Sequence, residues 1–153
     1  MRTRWLATAA ALALLVGLGD ALAQASGGAP APGDAIAARK TAMKTMQGDI
    51  EAIKKILDAG GSPSEAAPRA AEIHQQLTNV PALFPAGSEQ GDTKALPAVW
   101  SDRAGFERAS ANALAASEKL QATLASGDAG ASATAFREMG AACGGCHRNY
   151  RGR

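Results

Sequence analysis

Apolar residues recur at helical spacing along most of the chain. In the segment from Asp34 to Ala59, the apolar positions that lie seven residues apart are Ile36, Met43, Ile50 and Leu57. Residues at this spacing share one face of a helix, so the segment is predicted to be amphipathic and to pack against neighbouring helices. Asp34 is suited to cap the start of this helix, and Gly60-Gly61 is suited to end it.

The pattern continues beyond the two glycines. Ser62-Pro63-Ser64-Glu65 has the form of a capping box, which predicts a second helix from Pro63, although Pro68 leaves a later start open. A loop rich in Gly, Ser, Asp and Pro then runs over residues 85–97, and a third helix is predicted to begin within residues 98–102.

The fourth predicted helix begins at Asp128 or Ala131 and runs to Tyr150. Its apolar stripe comprises Phe136, Met139, Cys143, Cys146, His147 and Tyr150. No run alternates apolar and polar residues with β-branched enrichment, so strands are not expected. Four amphipathic helices of similar length predict an all-α fold, an antiparallel four-helix bundle.

The first residues have the features of an export signal. Arg2 and Arg4 precede an uninterrupted apolar run over residues 6–18, and Ala21-Leu22-Ala23 supplies the small residues that a signal peptidase reads. The run is shorter than the roughly 20 residues that cross a bilayer as a helix. We expect cleavage before Gln24; an uncleaved membrane anchor is the alternative.

The expected organisation is therefore a cleaved signal peptide over residues 1–23, a flexible lead over 24–33 and a helical domain over 34–153. No other segment is apolar enough to span a membrane. The mature protein is expected in the periplasm. Its formal charge would be +1, because the signal peptide takes two arginines and one aspartate from a chain of charge +2.

Composition narrows the classes of protein further. Of 153 residues, 46% are hydrophobic but only 4% aromatic, and most of the apolar content is alanine, which leaves little bulk to fill a core. The small net charge, without a long basic run, gives no electrostatic support for nucleic-acid binding. Two cysteines allow at most one internal disulfide, which excludes a disulfide-dense scaffold.

Cys143-Gly144-Gly145-Cys146-His147 is the pattern of covalent c-type haem attachment. The two thiols would form thioethers with the haem vinyl groups, and His147 would coordinate iron. On a helix, positions 143, 146 and 147 lie close enough on the circumference to face one macrocycle.

Two other interpretations of this motif are a redox dithiol and a zinc site. A redox dithiol is typical of a βαβ context, which the pattern does not predict. A zinc site needs a fourth ligand, and the other histidine, His74, is more simply a surface residue.

The chain resembles the class II c-type cytochromes, the cytochrome c′ family, over residues 34–151. Besides the C-terminal motif and Tyr150-Arg151, the matching positions are Arg39 with Met43, Leu83-Phe84-Pro85, Gly91-Asp92-Thr93, Pro97 with Val99-Trp100, and Phe106. The resemblance implies a four-helix bundle with one haem c attached covalently near the C-terminus through Cys143 and Cys146.

Met43 lies where the family places the residue that faces the distal side of the haem. In the low-spin branch a methionine there ligates iron, whereas high-spin cytochrome c′ has five-coordinate iron. Met43-Lys44 and the Leu-Phe-Pro loop resemble the low-spin branch, so Met43 is predicted as the second axial ligand beside His147. The alternatives are a non-ligating distal wall and plain core packing. Met46 and Met139 do not match the family's position.

Two arginines are further candidates for the haem site. Arg39 lies one turn before Met43 and is predicted to pair with a haem propionate; a solvated residue near a fraying helix start is the alternative. Arg151 lies four residues after His147, and the family places a basic residue there over the proximal pocket, where it disfavours imidazolium. A solvated cation at the helix C-terminus is the other interpretation. Trp100, Phe106 and Tyr150 line the haem cleft or form ordinary core.

The leading hypothesis is single-electron transfer through a His147/Met43-ligated iron, with no enzymatic turnover. The alternative is a five-coordinate haem protein that binds nitric oxide or carbon monoxide. A peroxidase has little support, because no predicted helix places an acid–base group on the distal side. Partners are expected to be periplasmic redox proteins, and homodimer formation is left open. Haem would supply the missing core bulk, so the chain without haem is expected to be loosely packed.

Overall fold

The computed structural model describes residues 31–153, which are mostly helical. The predicted signal peptide and most of the lead lie outside this range. Within it, the α-helices are α1 (Pro32–Asp58), α2 (Pro63–Asn79), the short α3 (Ala98–Ser101), α4 (Arg103–Ser126) and α5 (Ala129–Tyr150), with a 3₁₀ helix at Val80–Leu83. The β-type pairing in these residues is one isolated antiparallel bridge between Ala95 and Arg151. The all-α prediction is confirmed.

The four long helices form a bundle with an open side. α2 packs on α1 and on α4, and α4 packs on α5. α1 and α5 share little packing, because a cavity lies between them. Among residues 31–153, no helix is long and apolar enough to cross a membrane. The predicted four-helix bundle is confirmed.

The starts of α1 and α2 differ in detail from the predictions. α1 begins at Pro32, so Asp34 lies in its first turn and does not cap it. The aspartate still stabilises that turn, because a negative charge there interacts favourably with the helix dipole. α2 begins at Pro63, and Pro68 lies inside it. The Ser62 side chain makes no capping bond; its Oγ lies 2.8 Å from Ser64 Oγ, so the predicted capping box is wrong.

The predicted third helix is broken near its start. α3 ends at Ser101, and Asp102 then departs from helical geometry with φ −116° and ψ 55°. Its Oδ1 accepts a hydrogen bond from the Gly105 amide at 3.1 Å, so Asp102 caps α4. The fourth helix begins at Ala129, where Asp128 is the cap and its Oδ1 accepts from the Ala131 amide at 2.8 Å.

The core is built from aliphatic side chains of all four long helices. The largest fully buried apolar residues are Ile53, Ile73, Val99, Leu120, Leu124 and Met139. Burying one such side chain contributes about 1.5–3 kcal/mol. Among the other buried residues, six are alanine and four are serine, and these small side chains allow the helices to pack closely.

His74 is half-buried between α2 and α4, so its prediction as a surface residue is wrong. Its Nδ1 lies 3.1 Å from Ser117 Oγ. The Ser117 hydroxyl already donates to the Leu114 carbonyl at 2.6 Å, so it accepts from His74, which therefore carries a proton on Nδ1.

The end of α5 is fixed against the start of α4. Tyr150 Oη donates a hydrogen bond to Asp102 Oδ2 at 2.9 Å, and the Tyr150 and Phe106 rings meet edge to face, with centroids 5.4 Å apart. Burial, and next the accepting Asp102 carboxylate, raise the pKa of Tyr150. Gly105 lies directly beneath this contact: an added Cβ would stand 2.0 Å from Asp102 Oδ2 and 2.4 Å from Tyr150 Oη.

Gly105→Ala is therefore expected to destabilise the protein, although alanine is the better helix former. The added methyl displaces the Asp102 carboxylate and with it both the helix cap and the tyrosine contact. We expect a loss of about 1–2 kcal/mol in the free energy of unfolding, measured by urea denaturation of the holoprotein.

Gly140→Ala is the matched control, because Gly140 is exposed inside α5 and an added Cβ meets nothing within 4 Å. This change should be neutral or stabilise the protein by up to about 1 kcal/mol. Equal urea midpoints for the two variants would contradict the packing described for Gly105.

Candidate functional site

A cavity of about 710 Å³ opens between α1 and α5. This volume lies in the range of about 300–1,000 Å³ that is typical of cofactor pockets. All six residues predicted from the sequence line it: Arg39, Met43, Cys143, Cys146, His147 and Arg151. Residues more than 100 positions apart in the chain thus meet in one site, with α1 on one wall and α5 on the other.

The deep walls of the cavity are mainly apolar. Their side chains are Met46, Ile50, Leu77, Val80, Phe84, Phe106, Ala113, Met139 and Tyr150. Phe106 and Tyr150 thus line the cavity as well as packing in the core, whereas Trp100 does not line it. Such walls suit a large flat apolar group and would be unfavourable for water.

Burial sets the protonation of the cysteine and histidine side chains on the α5 wall. It raises the pKa of the Cys143 and Cys146 thiols, so both are protonated near neutral pH. Reactive redox thiols require a lowered pKa, so this environment does not favour the redox dithiol. Burial, and next the positive charge of Arg151, lower the pKa of His147. The imidazole is therefore neutral, which is the form that binds metal.

The zinc alternative also lacks support in the geometry. Nowhere in the described range 31–153 do three His, Cys, Asp or Glu side chains gather so as to chelate an ion. His74 lies on α2 and is not among the residues that line the cavity. Two thiols and one neutral imidazole on a single wall of an apolar cavity fit the covalent attachment of haem, with iron held from one face.

Met43 differs from the other methionines that line the cavity. Met46 is 7% exposed and Met139 is 1% exposed, and both belong to the packed core. Met43 is half-buried and lies at the edge of that core. Of the methionines in the described residues, Met43 is therefore the one whose side chain is least tightly packed. It stands on α1, across the cavity from the helix that carries His147.

Arg39 is buried in the wall of the cavity, with 3% exposure, so the solvated alternative is wrong. Its Nη1 donates to Ser88 Oγ at 2.9 Å, and its Nη2 donates to the Ser88 carbonyl at 2.8 Å and to Thr93 Oγ1 at 2.7 Å. The guanidinium also lies over the rings of Phe84 and Trp100, at 4.9 and 5.7 Å from their centroids. Burial lowers the pKa of Arg39, and the charge of Glu89 opposes this shift.

These contacts make Arg39 the buried link between α1 and the loop of residues 85–97, and Lys40 adds an exposed ion pair with Asp92. The other end of this loop is held by α5, because the Leu96 amide donates to the Tyr150 carbonyl at 2.9 Å and the Gly152 amide donates to the Lys94 carbonyl at 2.7 Å. The loop therefore connects the two helices that do not pack on each other. Pairing of Arg39 with a haem propionate stays a prediction.

Sequence reasoning did not assign roles to Ser88, Thr93 or Lys94. Thr93 belongs to a quoted motif, Gly91-Asp92-Thr93, but nothing in a sequence shows that its hydroxyl accepts from a buried arginine 54 positions away. Ser88, which is fully buried, looks like an ordinary loop residue. A charge on the apolar face of α1 was the signal that could have been followed to these partners.

Arg39→Met is expected to lower the free energy of unfolding of the holoprotein by about 2–4 kcal/mol. The substitution keeps an extended side chain but leaves the Ser88 and Thr93 acceptors without their donor. Arg39→Lys should recover only part of the loss, because an ammonium cannot reproduce the guanidinium fork. Urea denaturation measures the stability, and amide hydrogen exchange of residues 85–97 should quicken in Arg39→Met.

The control is Arg137→Met on α5, an exposed arginine that bonds only to Thr134 Oγ1 within its own helix. It should change stability by less than about 0.5 kcal/mol. If Arg39→Met is as stable as this control, the loop is not held by Arg39.

Comparisons with known proteins agree with this site. The family model described as cytochrome C′ matches residues 34–151. The cytochrome c′ of Rubrivivax gelatinosus is 36% identical over 124 residues, covering 78% of this chain and 95% of the relative. A cytochrome c-556 of Agrobacterium tumefaciens (strain II Chrys) is 35% identical over 116 residues, covering 74% of this chain and 93% of the relative.

Solved structures of cytochrome c′ proteins share the fold of this chain. A variant of cytochrome c prime from Alcaligenes xylosoxidans, solved as its nitric oxide complex, superposes with a TM-score of 0.74 at 26% identity, covering 80% of this chain and 96% of that one. A cytochrome c′ described as having an unusual ligand-controlled dimer dissociation superposes with a TM-score of 0.77 at 25% identity, covering 82% and 100%.

The match of the family model covers the described helices except the first two residues of α1, and the cavity presents both cysteines of the attachment motif on one wall. We conclude that the chain belongs to the cytochrome c′ family and carries haem c, attached through Cys143 and Cys146.

Proposed function

We propose that this protein transfers single electrons through a haem iron ligated by His147 and Met43. The observation that carries the proposal is the position of Met43, whose side chain lines the cavity without being packed into the core as Met46 and Met139 are. Haem c supplies an iron that alternates between the ferrous and ferric states. A thioether ligand favours the ferrous state and so raises the reduction potential.

The polypeptide contributes a rigid site for this exchange. Partial desolvation by the cavity wall and the charge of Arg151 lower the pKa of His147 and so keep its imidazole neutral, although the residue is exposed. Arg39 fixes the loop against α1, and the Tyr150–Asp102 hydrogen bond fixes the end of α5 against α4. When both ligand-bearing helices are anchored, little structure has to move as the iron changes its charge.

Export, partners and the absence of turnover belong to the same proposal. Basic residues, an apolar run and small residues near position 23 support export to the periplasm, where redox proteins would be the partners. A similar structure is described through its dimer dissociation, so a homodimer is proposed as the assembly. The cavity-lining residues of α1 include no histidine but do include Glu51, and electron transfer without enzymatic turnover stays a prediction.

A second function has its own support. Met43 is only half-buried at the edge of the core, and a protein of the same fold was solved as a nitric oxide complex. If Met43 turns aside, the apolar distal space would admit nitric oxide or carbon monoxide. The two functions differ in one property, which is whether the iron has a sixth ligand from the protein.

Absorption spectra of the ferric protein and of Met43→Ala distinguish these functions. The wild type is expected to be low-spin with a methionine–iron charge-transfer band. Met43→Ala should lose this band, become high-spin and have a lower reduction potential. Its ferrous form should bind carbon monoxide at least about tenfold more tightly, since displacing even a weak ligand worth 1.4 kcal/mol costs that factor.

Met46→Leu is the control, because it removes a thioether one turn further along the same helix from a packed position. Its spectrum should match that of the wild type. A wild-type protein that is already five-coordinate and high-spin, with Met43→Ala unchanged, would reject electron transfer through a His/Met pair and favour gas binding.

Removing the haem attachment should loosen the bundle. In the Cys143→Ala/Cys146→Ala variant the cavity loses its covalent cofactor, so the apolar walls of α1 and α5 would face each other across unfilled space. We expect near-UV circular dichroism to weaken, dye binding to exposed apolar surface to rise and the urea midpoint to fall sharply. Cys143→Ala alone keeps one thioether and should be intermediate. A haem-free double variant with the wild-type urea midpoint would contradict this account.

A further inference from the structure

Charge is distributed unevenly around the opening of the haem cavity. The residues that line the cavity include five basic ones and only two acidic ones, Glu51 and Asp92. The formal charge of the whole chain is only +2, so the remaining surface has an excess of acidic groups. The side chains that line the cavity thus carry a formal charge of +3, and two ionised haem propionates would reduce this local charge to about +1.

The individual side chains differ in how far they are neutralised. Arg39 is buried and bonded to the loop, and Lys40 forms an ion pair with Asp92, so neither adds much to the field. Lys44, Lys94 and Arg151 are exposed, and no ion pair within residues 31–153 involves them. We call these three residues the basic rim. Lys44 comes from α1, whereas Lys94 and Arg151 are neighbours on the other side, because Ala95 pairs with Arg151 and the Gly152 amide donates to the Lys94 carbonyl.

We propose that the basic rim is the docking surface for a redox protein that presents a cluster of carboxylates around its own redox centre. The inference rests on the proposed electron-transfer function and adds the chemistry of the partner. Charge complementarity carries it, because cations at the mouth of an apolar cavity steer an acidic surface to the place where the haem is reached most closely. Two ionised haem propionates would change the formal charge of the mature protein from +1 to about −1. Net charge alone would therefore predict a basic partner.

Oxidation of the reduced holoprotein by two small reagents tests the local field. Ferricyanide is a trianion and tris(phenanthroline)cobalt(III) is a trication, and each accepts one electron from the ferrous protein, becoming ferrocyanide or the cobalt(II) complex. Rate constants are measured by stopped flow at ionic strengths of about 10 mM and about 500 mM, where the Debye lengths differ severalfold. The ferricyanide rate constant should fall with added salt, and the cobalt rate constant should rise.

The variant that tests the rim is Lys44→Glu/Lys94→Glu. At low ionic strength it should slow ferricyanide by at least about fivefold and quicken the cobalt complex by a similar factor. The control is Lys55→Glu/Arg137→Glu, which changes the net charge equally at exposed positions that do not line the cavity and that form no ion pair within residues 31–153. It should change either rate constant by less than about twofold.

Three outcomes would overturn the proposal. One is a wild-type salt dependence that follows the negative net charge, and another is an equal effect of the two double variants. The third is sedimentation of the holoprotein with phosphatidylglycerol vesicles that is lost in the rim variant, which would assign the surface to an anionic lipid. Absorption spectra of the same samples report independently whether Met43 ligates iron. An error in the assignment of His147 and Met43 as ligands is therefore distinguishable from an error in the proposal that the basic rim is the docking surface.

Discussion

The open side of the bundle, where α1 and α5 share little packing, is the constraint on which the site depends. Two helices in direct contact would leave no room for a cofactor, and two helices without any connection would not hold their ligands in place. The loop of residues 85–97 connects the two helices while leaving space between them. Arg39 on α1 binds one part of the loop, and the residues at and after the end of α5 bind the other part. Each wall is thereby fixed to the same short segment, and the space between them is kept.

Burying the Arg39 guanidinium is the energetic cost of this arrangement. A charge taken out of water is tolerated only where hydrogen bonds and favourable dipoles replace its hydration. Two loop residues provide three acceptor contacts, and two aromatic rings cover its faces. The same contacts also select one loop conformation, because any other would leave a buried cation without acceptors.

Much of this protein could be predicted from its sequence, because the dominant signals are local. The apolar spacing predicts the long helices, and the spacing of Cys143, Cys146 and His147 predicts the wall that carries the haem. Ser62 was predicted to be a cap because serine often caps helices, but a side chain can turn to another partner, as it does here toward Ser64. The buried bonds of Arg39, the partner of His74 and the cations of the rim depend on distant segments meeting, which spacing alone does not encode.

The bridge between Ala95 and Arg151 also bears on the order in which the protein is made. Lys94 and Leu96 are synthesised more than fifty residues before Tyr150 and Gly152, to which their backbone groups are bonded. A nascent chain can form α1 and α2 early, but the loop has no partner on its far side until the residues after α5 have emerged. The haem-attachment motif is synthesised only just before them. The loop side of the cavity wall therefore cannot be completed before the segment that carries both thiols, because the residues to which the loop bonds follow Cys143 and Cys146 in the chain.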